Sequence, residues 1–194
     1  MPGLLLGEPF PNIEADTTIG RIKLYDFLGD NRKVLLILLL PCIFEKSLYP
    51  VSVDINSYNC DEPTETLPFP IIADPKRELA VQLGMLDPDE KDSQGMPVTA
   101  RCVFIIGPDK KMKLSILYPA TTGRNFDEIL RVVDSLQLTA EHNVATPVDW
   151  KPGDRVMVPP NVPEAEAAKI FTCGIFTKEL PSGKKYMRYT AQPH

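Results

Sequence analysis

Val98-Thr99-Ala100-Arg101-Cys102-Val103-Phe104-Ile105-Ile106, Gly107-Pro108-Asp109-Lys110 and Met112-Lys113-Leu114-Ser115-Ile116-Leu117-Tyr118 read as strand, turn and strand. The first run is rich in β-branched and apolar residues, and the last alternates apolar with polar ones. Gly-Pro-Asp between them is turn chemistry, so an antiparallel hairpin is expected. Upstream, Val34 to Leu40 is continuously apolar, as in a central strand covered on both faces. Between the two, Asp74-Pro75 reads as an N-cap followed by proline at the first helical position. That helix would include Leu79, Ala80 and Leu83 and stop at Gly84. Asp87 to Gly95 reads as a charged loop. Downstream, Asn125 can cap a helix that aligns Phe126, Ile129, Leu130, Val133 and Leu136 on one face. An early hairpin around Ile19 and Ile22 to Leu24 is also expected. The stretch Phe44 to Asp54 fits a turn of helix followed by a short strand through Val51 and Val53.

The chain has 194 residues, 43% of them hydrophobic and 24% charged, which suits a globular protein with a real core. Twenty prolines against eleven glycines mean many fixed bends, which argues against a helical bundle or coiled coil. A net charge of -5 lacks the positive field that draws nucleic acid or anionic lipid. The longest apolar run is too short for a membrane span, and Met1 to Gly7 has no basic start of a secretory signal. Cys42, Cys60, Cys102 and Cys173 form no CxxC pair, and both histidines, His142 and His194, lie late in the chain. Neither a disulfide framework nor a metal site is expected; a reducing, cytoplasmic setting with free thiols is. After about residue 140, prolines crowd the sequence. One short helix, Glu164 to Ile170, and one hairpin around Pro181-Ser182-Gly183 are expected there, in a tail with no large core of its own.

The order strand, helix, hairpin, helix and extended arm is that of a thioredoxin-like α/β domain with an appendage. Longer stretches go further. Leu67-Pro68-Phe69-Pro70-Ile71-Ile72, Gly95-Met96-Pro97-Val98-Thr99-Ala100-Arg101, Tyr118-Pro119-Ala120-Thr121-Thr122-Gly123-Arg124-Asn125-Phe126-Asp127-Glu128 and Ala145-Thr146-Pro147-Val148-Asp149-Trp150-Lys151 closely resemble the 1-Cys peroxiredoxins. Pro11-Asn12 and Asp26-Phe27-Leu28-Gly29-Asp30 fit as well, and the resemblance covers almost the whole chain outside residues 31–54. It implies a thioredoxin-like domain over residues 1–140, a central mixed sheet flanked by helices, and a dimer-associated C-terminal extension over residues 141–194. It also implies an antioxidant thiol peroxidase that reduces hydrogen peroxide and lipid hydroperoxides. Glutathione would be the external reductant, with no bound cofactor or metal. The partner would be a second copy or an intact peroxiredoxin.

The family carries Pro-x-x-x-Thr-x-x-Cys directly after the strand that corresponds to Val34 to Leu40. Here the strand runs into Pro41-Cys42-Ile43-Phe44-Glu45-Lys46-Ser47-Leu48-Tyr49-Pro50, with no Thr three residues before a Cys. Against the family pattern about 30 residues are missing, the size of one supersecondary unit. The core is therefore expected to lack one helix and part of a strand, and the piece lost would hold the peroxidatic cysteine.

A peroxidatic cysteine must be a thiolate, which a helix N-terminus and a nearby Arg favour. A Thr hydroxyl and backbone N–H groups would hold the peroxide. Arg101 matches the family's arginine beside the thiolate; the plain alternative is an Arg paired with a surface carboxylate. Cys42 is the one cysteine that follows the central strand closely, where α/β folds place their sites. Its plain alternative is an inert thiol in an apolar run, its pKa raised by burial. The family is also credited with phospholipase and acyltransferase activity through Ser, His and Asp. Here Asn31 and Tyr25 stand where the Ser and His would be and Asp109 alone matches, so that mechanism is not expected. Two functions stay open: a thiol peroxidase, or an inactive relative that keeps the scaffold and acts by dimerisation or binding.

Overall fold

The computed structural model describes residues 4–29, 35–38, 54–55, 57–58, 67–93, 95 and 97–193. The expected turn and strand of Phe44 to Val53 lie outside these residues, as does the gap expected in the core after Leu40. Contacts divide the chain into two compact units, Met1–Arg124 and Asn125–His194.

The first unit opens with strands β1 (Glu14–Thr17) and β2 (Gly20–Lys23), paired antiparallel from Glu14 opposite Lys23 to Thr17 opposite Gly20. The expected early hairpin is thus present, but Ile19 lies in its turn. Helix α1 (Leu24–Leu28) follows at once, anchored where the Leu24 N–H donates to the Ile13 carbonyl and the Tyr25 N–H to Asn12 Oδ1. Strand β3 (Leu35–Leu38) lies within the predicted apolar run. Helix α2 (Glu78–Gln82) starts three residues later than Asp74-Pro75 suggests. Arg77 at φ 58° delays it, yet Asp74 still does a capping residue's work: its carboxylate accepts from the N–H of Ala80, at 2.9 Å. The other end closes as expected. Gly84, at φ 67°, donates to Val81, and Met85 donates to Ala80, the paired bonds of a Schellman motif.

Strands β4 (Leu86–Lys91) and β5 (Pro97–Thr99) pair antiparallel, so the charged stretch after Asp87 is a ribbon edge rather than a loop. Its side chains are mostly exposed, which is why composition alone suggests a loop. After Ala100, strands β6 (Arg101–Ile106) and β7 (Met112–Tyr118) form the expected hairpin, with Arg101 opposite Tyr118. The sheet order is β3-β6-β7, antiparallel throughout. Strand β6 is covered on both faces: Cys102, Val103, Phe104, Ile105 and Ile106 are all at most 2% exposed. Alternate residues Cys102, Phe104 and Ile106 join Phe10, Leu24 and Met112 in one core. The architecture is the thioredoxin-like mixture of strands and helices that the sequence predicts.

The second unit begins with helix α3 (Phe126–Glu141), capped as predicted by Asn125, whose side chain accepts from the Glu128 N–H at 3.3 Å. Its buried line passes through Ile129 and Val132, while Phe126 and Leu130 are 56% and 60% exposed. Apolar residues make up half of this helix, so periodicity alone does not choose which part turns inward. Strands β8 (Val156–Met157), β9 (Phe176–Thr177) and β10 (Arg188–Thr190) form a sheet of order β8-β10-β9, and helix α4 (Glu164–Ile170) spans the predicted residues. The hairpin at Pro181-Ser182-Gly183 is the β9–β10 connection, turned by the Gly183 N–H on the Leu180 carbonyl. The tail has a small core: Trp150, Val156, Val158, Val162, Ala167 and Phe171 are buried together. One large ring supplies much of the area that a short, proline-rich segment otherwise lacks, and the prolines take turn and helix-start positions.

Candidate functional site

Strand alternation decides where Arg101 goes. Cys102 turns into the core cluster, so Arg101 projects from the other face of β6. It is half-buried, and its Nη1 is fully buried with no hydrogen-bond partner. After β7, a turn closed by the Thr122 N–H on the Pro119 carbonyl carries the chain round to Arg124. Arg124 donates from Nε and Nη2 to the Cys102 carbonyl, at 3.3 and 3.1 Å. Burial, and then the charge of Arg101, hold the Arg124 guanidinium below the usual arginine range. Two guanidinium groups thus share one partly buried place beside the first residues of β6. Such a place favours an anion, whether a thiolate, an oxyanion or a carboxylate.

Arg124 is the site residue that reading the sequence did not single out. It sits inside a quoted motif, but no spacing ties it to Arg101; only the β6–β7 hairpin and the turn after it do so. Cys42 lies outside the described residues, as do Cys60 and Asn31. Of the positions matched to a hydrolase, Tyr25 donates its hydroxyl to the Phe10 carbonyl at 2.5 Å and lies under Lys110 Nζ. Asp109 pairs with Lys113 at 2.6 Å and accepts from the Lys111 N–H, the turn role expected of it. Among the described residues, no group of His, Cys, Asp and Glu could hold a metal ion.

Cys102 and Cys173 are free thiols, the first buried and the second exposed. Burial pushes the Cys102 thiol up from 9.0 to about 11, and Arg124 only partly counters this. At neutral pH Cys102 is protonated and enclosed, so it is no nucleophile. Native-state labelling with iodoacetamide, read by peptide mass, should therefore modify Cys173 and spare Cys102. The same shift has a sign in stability. The folded state disfavours the thiolate, so this contribution is complete below pH 9 and is lost as pH rises through about 11. Denaturant titrations should show a loss of roughly 2–3 kcal/mol across that window, absent in Cys102→Ala. An equally steep loss in the variant would refute this.

The whole chain aligns with proteins of known class. The family model for the C-terminal domain of 1-Cys peroxiredoxin matches residues 135–172. Peroxiredoxin-6 of Homo sapiens is 61% identical over 225 residues and that of Sus scrofa 60% identical over 224, each match covering 100% of both chains. The pig alignment has 224 positions for the 194 residues here, so 30 of them (224 less 194) have no counterpart in this chain. Both chains are covered end to end, so those 30 positions are internal, in number what the family pattern predicts. Among solved structures, a cysteine-to-serine mutant of peroxiredoxin 6 from Arenicola marina superposes with a TM-score of 0.88 at 49% identity, over 98% of this chain and 99% of that one. A yeast mitochondrial 1-Cys peroxiredoxin superposes at 0.79 with 32% identity, over 97% and 99%. Sequence, fold and tail therefore lead to one lineage: the chain belongs to the peroxiredoxin family, in its 1-Cys, peroxiredoxin-6 branch.

Proposed function

We propose that this chain is a peroxiredoxin-6-like antioxidant protein: by family a glutathione-dependent thiol peroxidase acting on hydrogen peroxide and lipid hydroperoxides, here without the segment that holds the reactive sulfur. The observation that carries this is end-to-end identity near 60% with peroxiredoxin-6, with 30 internal positions left unmatched. In the family reaction a thiolate attacks the peroxide O–O bond, releasing water or an alcohol and leaving a sulfenic acid for an external thiol to reduce. The Arg101 and Arg124 guanidinium groups are the part of that machinery that this chain keeps; they would favour the thiolate and the charge that develops on oxygen. The yeast relative resolves its thiol through glutathione and thioredoxin systems, which supports glutathione as an external reductant rather than a bound cofactor.

A specific observation favours a second role. No cysteine in the chain ends a Pro-x-x-x-Thr-x-x-Cys motif, since Thr99 precedes Cys102 by three residues but Gly95 stands where the proline would be, and Arg101 Nη1 is buried without an acceptor among the described residues. A scaffold in that state acts by association, with a second copy or an intact relative. Strand β7 supports pairing, because it closes one side of the β3-β6-β7 sheet and carries Leu117 at 56% exposure. A cytoplasmic setting fits the free thiols; among the described residues, no helix is long and apolar enough to cross a membrane.

The two roles part in a peroxide-consumption assay with glutathione, run on the chain and on Cys42→Ser. Equal, background-level rates are expected and select association. A rate well above background that collapses in Cys42→Ser would make Cys42 the peroxidatic sulfur and restore the enzyme.

A further inference from the structure

The second unit holds a cleft that the peroxide chemistry does not use. It measures about 250 Å³, and its lining includes Phe171, Ile175, Ala168 and Arg188. Arg188 is the unusual member. It is only 8% exposed, in a segment where every neighbouring cation is at the surface. Its Nη2 donates to the carbonyls of Pro159 and Val162, at 2.6 and 2.8 Å, which orients the guanidinium but leaves its charge unneutralised. Among the described residues, no carboxylate lies within ion-pair distance of it. A buried cation without a counter-ion is costly, and a ligand that brings an anion recovers part of that cost. The apolar wall adds a second requirement: the anion should carry a short hydrocarbon body.

We propose that the cleft between α4 and the β9–β10 sheet binds a small monocarboxylate, its charge paired with Arg188 and its hydrocarbon packed on Phe171, Ile175 and Ala168. The site is independent of the peroxidase reading and stands whether or not any cysteine is reactive. Glu164, exposed, is the one acid among the described residues that line the cleft; it opposes the ligand's charge and sets an upper limit to affinity.

Hexanoate is the probe and hexanamide its uncharged control, titrated into the full chain at constant ionic strength and followed by amide chemical shifts. Hexanoate should move the amides of Thr172, Gly174, Ile175 and Thr177 saturably, with a roughly millimolar Kd, and hexanamide should bind about fivefold or more weakly. Arg188→Gln also removes two carbonyl hydrogen bonds and can unfold the unit, so two other variants carry the test. Ala168 is exposed, so Ala168→Leu fills the cleft from outside and should abolish binding. Glu164→Gln removes the opposing charge and should tighten hexanoate about threefold while leaving hexanamide unchanged. Equal binding of acid and amide, undiminished binding in Ala168→Leu, or no saturable shift would each overturn the proposal.

Discussion

Peroxide consumption should rise on the order of a thousandfold when the internal segment that pig peroxiredoxin-6 has and this chain lacks is grafted back after Leu40. On the function proposed above the effect is large because the missing segment would hold a whole reaction centre: the thiolate, the helix end that lowers its pKa and the hydroxyl that holds the peroxide. What the graft would join is already in place. Arg101 has a buried, unpartnered Nη1, and Arg124 is held beside it through the Cys102 carbonyl. In the grafted protein, Arg101→Met should then lower the rate about a hundredfold, the usual cost of removing one charge-stabilising donor. Steady-state rates with glutathione and hydrogen peroxide measure both. A graft that melts cooperatively yet turns over no faster than the parent would show that the two arginines do not form a peroxide site.

The second large effect concerns stability and lies away from that site. Arg77 and Asp92 form an ion pair at 2.8 Å whose side chains are 13% and 6% exposed, and Arg77 also donates to the Pro97 carbonyl. The pair ties the start of α2 to the connection between β4 and β5. Removing one partner leaves a buried charge uncompensated, which costs about 3–5 kcal/mol. Asp92→Ala should accordingly lower the stability of the first unit by that amount. For a chain of this size the melting temperature should fall by roughly 6–20 °C. The double variant Arg77→Met with Asp92→Leu should recover most of the loss, because an apolar pair of similar volume carries no desolvation penalty. A drop below about 1 kcal/mol in Asp92→Ala would place the pair with surface ion pairs, screened and nearly neutral.

The expected background rate and the expected inertness of Cys102 rest on one contrast. A reactive sulfur needs positive charge and access together. Cys102 has a guanidinium close by but no access, and burial wins. Cys173 has access, and it lies in the other unit, after α4. Among the described residues, the first unit, which carries the two guanidinium groups, has no exposed thiol.

The β6–β7 hairpin, the Asn125 cap, the Gly84 stop and the bounds of α4 could all be read from the residues. Each depends on interactions within a few positions: turn chemistry, a side chain on an N–H three residues on, a left-handed glycine, an apolar period. Family membership was equally legible, because long stretches outside residues 31–54 closely resemble the family's motifs. Other features depended on contacts between distant segments. Periodicity could not say which face of α3 turns inward, since apolar residues make up half of that helix. Composition made a loop of β4, whose partner Pro97–Thr99 fixes it as a strand. The pairing of Arg101 with Arg124, 23 positions apart, and the burial of Arg188 without an acid exist only once the chain has folded. Charge and burial are properties of a place in space, and local sequence fixes the residue but not the place.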